Sequence, residues 1–162
     1  MPPLFSIITI CLNCKDKLID TAASLSNQTF KDYEYIIKDG VSSDGTQDII
    51  NNVNADIVVS AHDTGIFDAM NQALELSKGE YIHFLNAGDL LHDSKVLADI
   101  AKKIHLSTKK ADLYYGDVVK PYARRKYLFH PEKISGYYLF SRGLCHQSWF
   151  LKREVYITMN GF

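Results

Sequence analysis

Short apolar segments alternate with segments of helical pattern over residues 4–86, and this alternation is the feature that most constrains the fold. The apolar segments are rich in β-branched residues, which favours strands buried on both faces. Strands are predicted over residues 4–12, 33–39, 55–61 and 80–86, and helices over residues 15–27, from 46 onward and over 65–79. Strands that alternate with helices over short connections form a mostly parallel sheet with helices on both faces. We therefore predict an α/β fold of the Rossmann type.

The second half of the chain has a less regular pattern. A helix is predicted over residues 94–105, and strands are predicted over residues 111–119, 124–130 and 147–152. No internal repeat, low-complexity tract or linker separates the two halves. We therefore expect residues 1–162 to form a single domain.

The composition disfavours several classes of partner and location. Hydrophobic residues make up 46% of the chain, which is enough apolar material for a core. The formal net charge of −1 gives no electrostatic reason to expect nucleic acid, and the basic cluster at residues 124–126 is read as a solvated loop. The longest apolar run, residues 4–12, is too short to cross a bilayer, and no positive residue precedes it as in a secretion signal. We expect a cytoplasmic protein.

The three cysteines fit a reducing compartment better than a disulfide framework, because their number is odd. Cys11 and Cys14 form a C-x-x-C pair, which invites a redox interpretation. Cys11 belongs to a predicted strand, however, and not to a helix N-terminus, where a thiolate would be stabilised. A structural zinc site would need a second pair of ligands, for which Cys145 and His146 alone are a weak candidate. We interpret the pair as strand-end residues without redox function.

Polar side chains lie at or just after the end of each predicted strand. In open α/β sheets, ligands bind at the carboxyl ends of the strands. The candidates are Thr9 and Asn13 for the first strand, Asp39 and Ser42 for the second, Asp63 for the third, and Asn86 and Asp89 for the fourth. Asp89, the single carboxylate in the segment LNAGD, is either a helix cap or a ligand for a bound group.

The segment DGVSSDGT, which follows the second strand, matches two familiar ligand-binding loops poorly. An EF-hand loop needs Glu at its twelfth position, where this chain has Ile50. A P-loop needs Gly-Lys followed by Ser or Thr, which is absent here. Asp39 ends a strand, where a carboxylate accepts hydrogen bonds from a ligand amide as readily as from backbone.

Four motifs, SIITICLN, IIKDGVSSDGT, DTGIFDAMNQAL and GEYIHFLNAGD, occur in an order and spacing that resemble the family 2 glycosyltransferases. The resemblance is close over residues 4–90 and looser through YYGDV and CHQSWFLKR. It implies the GT-A fold, an inverting transfer reaction, a nucleotide-sugar donor, and Mg²⁺ or Mn²⁺. It also divides the chain into a nucleotide-sugar-binding half, about residues 1–90, and the start of an acceptor-side half, about residues 91–162.

The resemblance implies roles for the polar residues at the strand ends. Family members usually carry Asp-x-Asp or Asp-Asp after the fourth strand, and here only Asp89 keeps its carboxylate, which makes it the expected metal ligand. One carboxylate suffices for Mg²⁺ when substrate phosphates and waters complete its coordination. The other residues expected at the nucleotide sugar are Thr9, Asn13, Asp39, Ser42, Asp63, Asp68, Asn71, Asn86 and Gly88. An acceptor-only carboxylate at Asp39 suits the imide N–H of uracil, which favours a UDP-sugar, although guanine also presents an N–H. For Asp68 and Asn71 an ordinary surface pair on a helix is the alternative.

The resemblance does not identify a catalytic base within the chain. In the family the base is typically an Asp after a GFDE-like motif, so we expect it beyond Phe162 and expect the acceptor-side half to be incomplete. Asp117 and His146 are the in-chain candidates, and each has a structural role as its alternative. The implied reaction transfers sugar to a saccharide or lipid-linked acceptor in bacterial surface polysaccharide biosynthesis. Peripheral association with the inner face of the cell membrane is compatible with it, and a non-catalytic nucleotide-sugar-binding or assembly module is the alternative.

Overall fold

The computed structural model describes residues 1–119, 127–128 and 145–162. The strands are β1 (Phe5–Cys11), β2 (Tyr33–Asp39), β3 (Ile57–Ser60), β4 (Tyr81–Phe84), β5 (Leu113–Tyr115), β6 (Val118–Val119), β7 (Tyr127–Leu128) and β8 (Trp149–Lys152). The helices are α1 (Lys15–Ser26), α2 (Thr46–Ile50), α3 (Ile66–Leu76), α4 (Val96–Leu106) and α5 (Arg153–Met159). A single 3-10 turn, His146–Ser148, precedes β8.

Six of these strands form one sheet in the order β3-β2-β1-β4-β8-β5. The first four are parallel to one another, whereas β8 runs antiparallel to both of its neighbours. The short strands β6 and β7 form a separate antiparallel pair. The prediction of a mostly parallel α/β sheet is confirmed, and each antiparallel pair between the described strands includes at least one strand from the half of the chain whose pattern is less regular.

Helices cover both faces of the sheet, because β1, β2 and β4 are buried on both sides and need apolar partners above and below. On one face the core includes Leu18 of α1, Ile50 of α2 and Leu97 of α4. On the other face it includes Met70 of α3 and Tyr156 of α5. The carboxyl ends of β1, β2 and β4 meet at one edge between these layers, which is where the predicted site residues lie.

The structure differs from the predicted elements mainly in the second half. The strand predicted over residues 111–119 is two strands, because the chain breaks its extended course at Gly116-Asp117. Of the strand predicted over residues 124–130, β7 lies at 127–128 and the remainder is outside the described residues, as is the basic cluster 124–126. Helix α5, which immediately follows β8, was not predicted.

Gly79, the last residue of the helix predicted over residues 65–79, lies outside that helix. Helix α3 ends at Leu76, before this glycine. A methyl group at Gly79 would collide with the backbone nitrogen of Ser6. The glycine therefore permits close approach of the chain to β1.

Among the described residues, no helix has both the length and the apolar character that a membrane crossing requires.

Candidate functional site

The loops after β1 and β2 are joined by hydrogen bonds between residues that the sequence singled out. The backbone N–H of Asn13 donates to Ser42 Oγ at 2.8 Å, and the N–H of Ser43 donates to Asn13 Oδ1 at 2.9 Å. Asn13 has a left-handed backbone, with φ of 50°. Because these loops hold each other, the carboxyl ends of the two strands form one polar surface.

Asp39 is fully buried beneath this surface and is surrounded by donors. Its carboxylate accepts hydrogen bonds from the N–H and hydroxyl of Ser42, from Ser60 Oγ at 2.8 Å and from Gln47 Nε2 at 3.3 Å. Burial would raise the pKa of Asp39, but the hydrogen bonds from Ser42, Ser60 and Gln47 outweigh it and hold the pKa below its usual value. Asp39 is therefore an ionised organiser of the loop, and its contact with a ligand stays a prediction.

Lys38, which sequence reasoning missed, occupies the strand position before Asp39 and is fully buried. Its Nζ donates to the carbonyl oxygens of Asp39 at 3.2 Å and Ala61 at 2.7 Å, and to Asp63 Oδ2 at 2.8 Å. The Asp63 side chain is only 13% exposed. A lysine inside the apolar run YEYIIKD is the sequence signal that points to such a buried pair, because lysine is rarely buried without a partner. The pair fixes Asp63 beside Gly40, where an added Cβ would stand 3.1 Å from Asp63 Oδ2.

Asp68 and Asn71, on α3, make separate structural contacts. The Asp68 carboxylate accepts hydrogen bonds from the N–H and hydroxyl of Thr64, at 2.7 and 3.1 Å, and the bond from the Thr64 backbone is the main cause of its lowered pKa. Asn71 Oδ1 accepts the N–H of Phe162 at 3.0 Å. Helix capping and anchoring of the Phe162 segment therefore account for the contacts of these two side chains.

The loop after β4 carries Asn86, Gly88 and Asp89, and it is fastened to α1. Thr21 Oγ1 accepts the N–H of Gly88 at 2.9 Å and donates to the carbonyl oxygen of Asp89 at 2.9 Å. Gly88 adopts φ of 102°, a conformation that favours glycine. This loop and the segment after it are held by Thr21 and Ser24 of α1 and by Gln28, which follows the end of that helix. Sequence reasoning missed them, although their spacing of three and four residues is the available signal.

The Asp89 carboxylate differs from the other predicted carboxylates at this edge. Asp39, Asp63 and Asp68 all accept hydrogen bonds from the protein, whereas no described residue donates a hydrogen bond to the Asp89 carboxylate or forms an ion pair with it. Burial raises the pKa of Asp89, and the nearby His146 counteracts this only in part. Asn86 Oδ1, in the same loop, is buried and has no hydrogen-bond partner in the described ranges. Two oxygen acceptors in one short loop therefore lack a donor among the residues that the structure describes.

A cleft of about 660 Å³ extends from Asp89 between α4 and the sheet. Its polar lining includes Asp89, Asp117 and Gln147, and its apolar walls include Leu91, Ile100 and Phe150. His146 is exposed in the 3-10 turn that borders this region. The structure thus brings Asp117 to the same cleft as Asp89, and the catalytic roles predicted for Asp117 and His146 stay predictions.

Thr9 and the cysteine pair lie beneath the polar surface and not on it. Thr9 is fully buried, and its hydroxyl is bonded to Tyr35 Oη at 3.0 Å and to the Leu85 carbonyl oxygen at 2.7 Å. Cys11 is buried with its Sγ 3.9 Å from Asp39 Oδ1, and Cys14 is half-buried. Burial is the main cause of the raised pKa of both thiols, so both are protonated near neutral pH.

Replacing Cys11 and Cys14 together with alanine is therefore expected to change the nucleotide binding that the family resemblance implies by no more than a few fold. Neither protonated thiol can serve as a nucleophile or metal ligand. Some stability should be lost, because Cys11 contributes to the core. Isothermal titration with UDP and Mn²⁺, together with a thermal melt, measures both effects. Abolished binding by a folded double variant would restore the redox or metal interpretation of the pair.

A divalent metal fits this site only if a ligand completes its coordination. The described residues contain no group of three or more His, Cys, Asp or Glu side chains that could hold a metal ion. The Asp89 carboxylate and Asn86 Oδ1, which have no protein donor in the described part of the chain, are hard oxygen ligands of the kind that Mg²⁺ and Mn²⁺ prefer. The residues therefore fit an ion that is shared with substrate phosphates.

Comparison with known proteins places this geometry in a family. The sequence profile of "Glycosyl transferase family 2" matches residues 6–158. The PGL/p-HBAD biosynthesis glycosyltransferase of Mycobacterium bovis (strain BCG / Pasteur 1173P2) is 33% identical over 99% of this chain and 63% of its own length. The UDP-Glc:alpha-D-GlcNAc-diphosphoundecaprenol beta-1,3-glucosyltransferase WfaP of Escherichia coli is 36% identical over 70% of this chain and 45% of its own length.

A solved structure shares the fold. The mannosyltransferase PcManGT of Pyrobaculum calidifontis, in complex with GDP-Man and Mn²⁺, superposes with a TM-score of 0.70 over 100% of this chain and 48% of its own length, at 18% identity. The chain spans 63% of the length of the mycobacterial relative and less than half of the other two proteins. The match of the family profile to nearly the whole chain is decisive: the chain belongs to glycosyl transferase family 2.

Proposed function

We propose that this chain is the donor-binding part of a glycosyltransferase that transfers a sugar from a UDP-sugar to a saccharide or lipid-linked acceptor, with inversion at the anomeric carbon. The observation that carries the proposal is the Asp89 carboxylate, which is partly buried at the carboxyl edge of the sheet and has no donor among the described residues. A carboxylate left in this state needs a cationic partner that the described protein does not supply.

Asp89 and Asn86 are the residues that would hold a divalent metal, together with the diphosphate of the donor. The metal would supply charge neutralisation for the departing diphosphate. Because Gly88 has no side chain, the backbone of the same loop can approach the diphosphate closely. The complex of PcManGT with Mn²⁺ supports a metal of this kind, since the two proteins share a fold.

The nucleoside is assigned to the polar surface formed by the loops after β1 and β2. Asn13 and Ser42 present polar groups there, and the ionised Asp39 lies directly beneath. A uracil imide N–H would replace the longest hydrogen bond that a nitrogen donates to Asp39, which comes from Gln47 at 3.3 Å. UDP is also the donor nucleotide in the name of the Escherichia coli relative, whereas PcManGT binds GDP-Man.

The transfer step would be a direct displacement at the anomeric carbon. The bond from an acceptor hydroxyl oxygen to the anomeric carbon forms as the bond from that carbon to the diphosphate oxygen breaks, and a base takes the hydroxyl proton. Asp117 is the in-chain candidate for the base because it lines the cleft that Asp89 also lines. His146 is the second candidate, since it is close enough to Asp89 to lower that residue's pKa.

The chemical class of the acceptor is inferred from the name of a relative. The name of the Escherichia coli enzyme specifies a saccharide linked to diphosphoundecaprenol. An acceptor of that kind, a sugar on a lipid carrier, belongs to the assembly of bacterial surface polysaccharide. It would place the site near the inner face of the cell membrane during the reaction, with the protein associated peripherally.

Nucleotide selectivity is the first test of the proposal. UDP should stabilise the chain against heat in the presence of Mn²⁺, and CDP and ADP should stabilise it much less, because cytosine and adenine lack the imide N–H that a carboxylate accepts. A ligand at 100 times its dissociation constant stabilises by about 2.7 kcal/mol, which a thermal shift assay resolves easily. GDP serves as a comparison, because guanine is a purine that carries a ring N–H, as uracil does. Equal stabilisation by all four nucleotides would contradict the assignment of Asp39.

A non-catalytic nucleotide-sugar-binding module would give the same binding results. Release of UDP from a radiolabelled UDP-sugar in the presence of a glycoside acceptor distinguishes the two functions. Alanine variants of Asp117 and His146 should then reduce turnover while donor binding persists, if either is the base.

A further inference from the structure

His83, in the middle of β4, lies outside every role assigned so far. Its ring is 2% exposed and stacks on the Phe150 ring, with centroids 4.3 Å apart and planes 6° from parallel. The side chain forms part of the wall of the cleft that Asp89 and Asp117 also line. Because buried polar atoms are normally hydrogen-bonded, each of the two ring nitrogens is expected to have a partner.

The first nitrogen has a structural partner. Nδ1 lies 2.7 Å from the carbonyl oxygen of Trp149 on β8. Because a carbonyl oxygen can only accept, Nδ1 carries the hydrogen, and a neutral ring then leaves Nε2 as a bare acceptor. Burial lowers the pKa of His83 to about 4, so the ring is neutral near pH 7.

The second nitrogen has no partner within the part of the chain that the structure describes. Nε2 is buried and makes no hydrogen bond to any of these residues. Buried polar atoms are almost always paired, so this acceptor is suited to a donor that arrives with a ligand. Water does not reach the atom in this conformation, so a lining side chain must move aside for the ligand.

The place of His83 in the sheet indicates which ligand that is. The polar surface assigned to the nucleoside lies at the ends of β1 and β2, on one side of the Asp89 loop in the strand order. The cleft lies on the other side, bounded by α4, β8 and the turn at Asp117. Its apolar walls, with polar groups at the mouth and one acceptor in the floor, suit the apolar face and a hydroxyl of a sugar.

Resting on the proposed function, we infer that the cleft is the acceptor subsite and that His83 Nε2 accepts a hydrogen bond from a hydroxyl of the acceptor sugar. In this arrangement the hydrogen bond from Nδ1–H to the Trp149 carbonyl oxygen fixes the tautomer, and Nε2 accepts a hydrogen bond from the hydroxyl. The ring acts by binding and not as a base, since burial in the sheet disfavours the charged ring that would form if Nε2 took up a proton.

Octyl β-D-glucoside, used below the concentration at which it forms micelles, is a probe with a sugar and a short apolar tail. In the chain labelled with ¹⁵N-histidine, this probe should shift the Nε2 resonance of His83 in the presence of UDP and Mn²⁺. The matching octyl glucoside with all hydroxyls methylated should not shift it, because it has no hydrogen to donate. The His83 signal is assigned by its absence from the His83→Asn spectrum.

The His83→Asn variant should bind octyl β-D-glucoside at least about fivefold more weakly, the effect of losing one hydrogen bond. Asparagine keeps a donor for the Trp149 carbonyl and lacks the acceptor at the Nε2 position. His92→Asn is the matched control, because His92 lines the same cleft but is exposed. An unshifted Nε2 resonance in a wild-type chain that binds UDP and Mn²⁺ would overturn this inference alone. Failure of the wild-type chain to bind UDP would instead contradict the proposed function.

Discussion

Replacing Asp89 with asparagine is expected to abolish the gain in UDP affinity that Mn²⁺ provides. Asparagine keeps the size and one oxygen of the side chain but removes the negative charge that would hold the metal. The dissociation constant for UDP in the presence of Mn²⁺ should rise at least about tenfold, equivalent to about 1.4 kcal/mol. Titration calorimetry with and without Mn²⁺ measures the difference directly.

The same variant should fold at least as well as the wild-type chain. The Asp89 carboxylate is partly buried, and no described residue donates to it or pairs with it, so its charge destabilises the folded state. Asp93→Asn is the matched control, since Asp93 is an exposed carboxylate in the same region. A folded Asp89→Asn variant whose UDP affinity still responds fully to Mn²⁺ would remove Asp89 from the metal site.

The pH dependence of metal binding follows from the same carboxylate. Burial raises the folded-state pKa of Asp89 above its unfolded value, so the folded chain takes up a proton there more readily as the pH falls. Protonation relieves the buried charge, and the contribution of this residue to stability therefore increases as the pH falls through the folded pKa. Metal binding has the opposite trend, because the metal requires the ionised form.

Sequence patterns predicted the sheet well where burial on both faces leaves few alternatives. The run YEYIIKD coincides with β2 over Tyr33–Asp39, and α1 begins at Lys15 as predicted. The second half was harder, because Gly116 and Asp117 interrupt an apparently continuous strand and β8 joins the sheet between β4 and β5. A pairing between segments that are distant in sequence leaves no local pattern to read.

For the candidate site, sequence reasoning predicted where the carboxylates lie but not which residues donate hydrogen bonds to them. Position at a strand end was enough to select Asp39, Asp63 and Asp89, because the carboxyl ends of parallel strands share one edge. It could not show which of these carboxylates the protein itself satisfies. The donors to them, among them Ser60, Gln47 and Lys38, lie 8 to 25 positions away in sequence, so only the folded chain shows that Asp89 is the one without a donor among the described residues.

The buried pair of Lys38 and Asp63 gives the largest expected effect on stability. Replacing Asp63 with leucine leaves the Lys38 ammonium fully buried, and among the described residues its remaining partners are the carbonyl oxygens of Asp39 and Ala61. Breaking a buried ion pair by removing one partner costs about 3–5 kcal/mol. In urea unfolding followed by circular dichroism, the free energy of unfolding should fall by this amount. The change should appear as a lower urea midpoint with little change in the slope m.

The double variant Lys38→Met/Asp63→Leu separates the cost of an orphaned charge from the value of the pair. Removing both charges eliminates the uncompensated ammonium, and apolar replacements of a buried pair are often neutral or stabilising. The double variant should therefore be more stable than Asp63→Leu alone, although the hydrogen bonds from Lys38 to the two backbone carbonyl oxygens are also lost. The exposed pair of Lys110 and Glu80 is the matched control, because its partners are 45% and 36% exposed and Lys110→Met should cost less than about 1 kcal/mol. If Asp63→Leu cost no more than Lys110→Met, the charge of Lys38 would be satisfied by the backbone carbonyls, and the segment from Ala61 to Asp63 would be held without the ion pair.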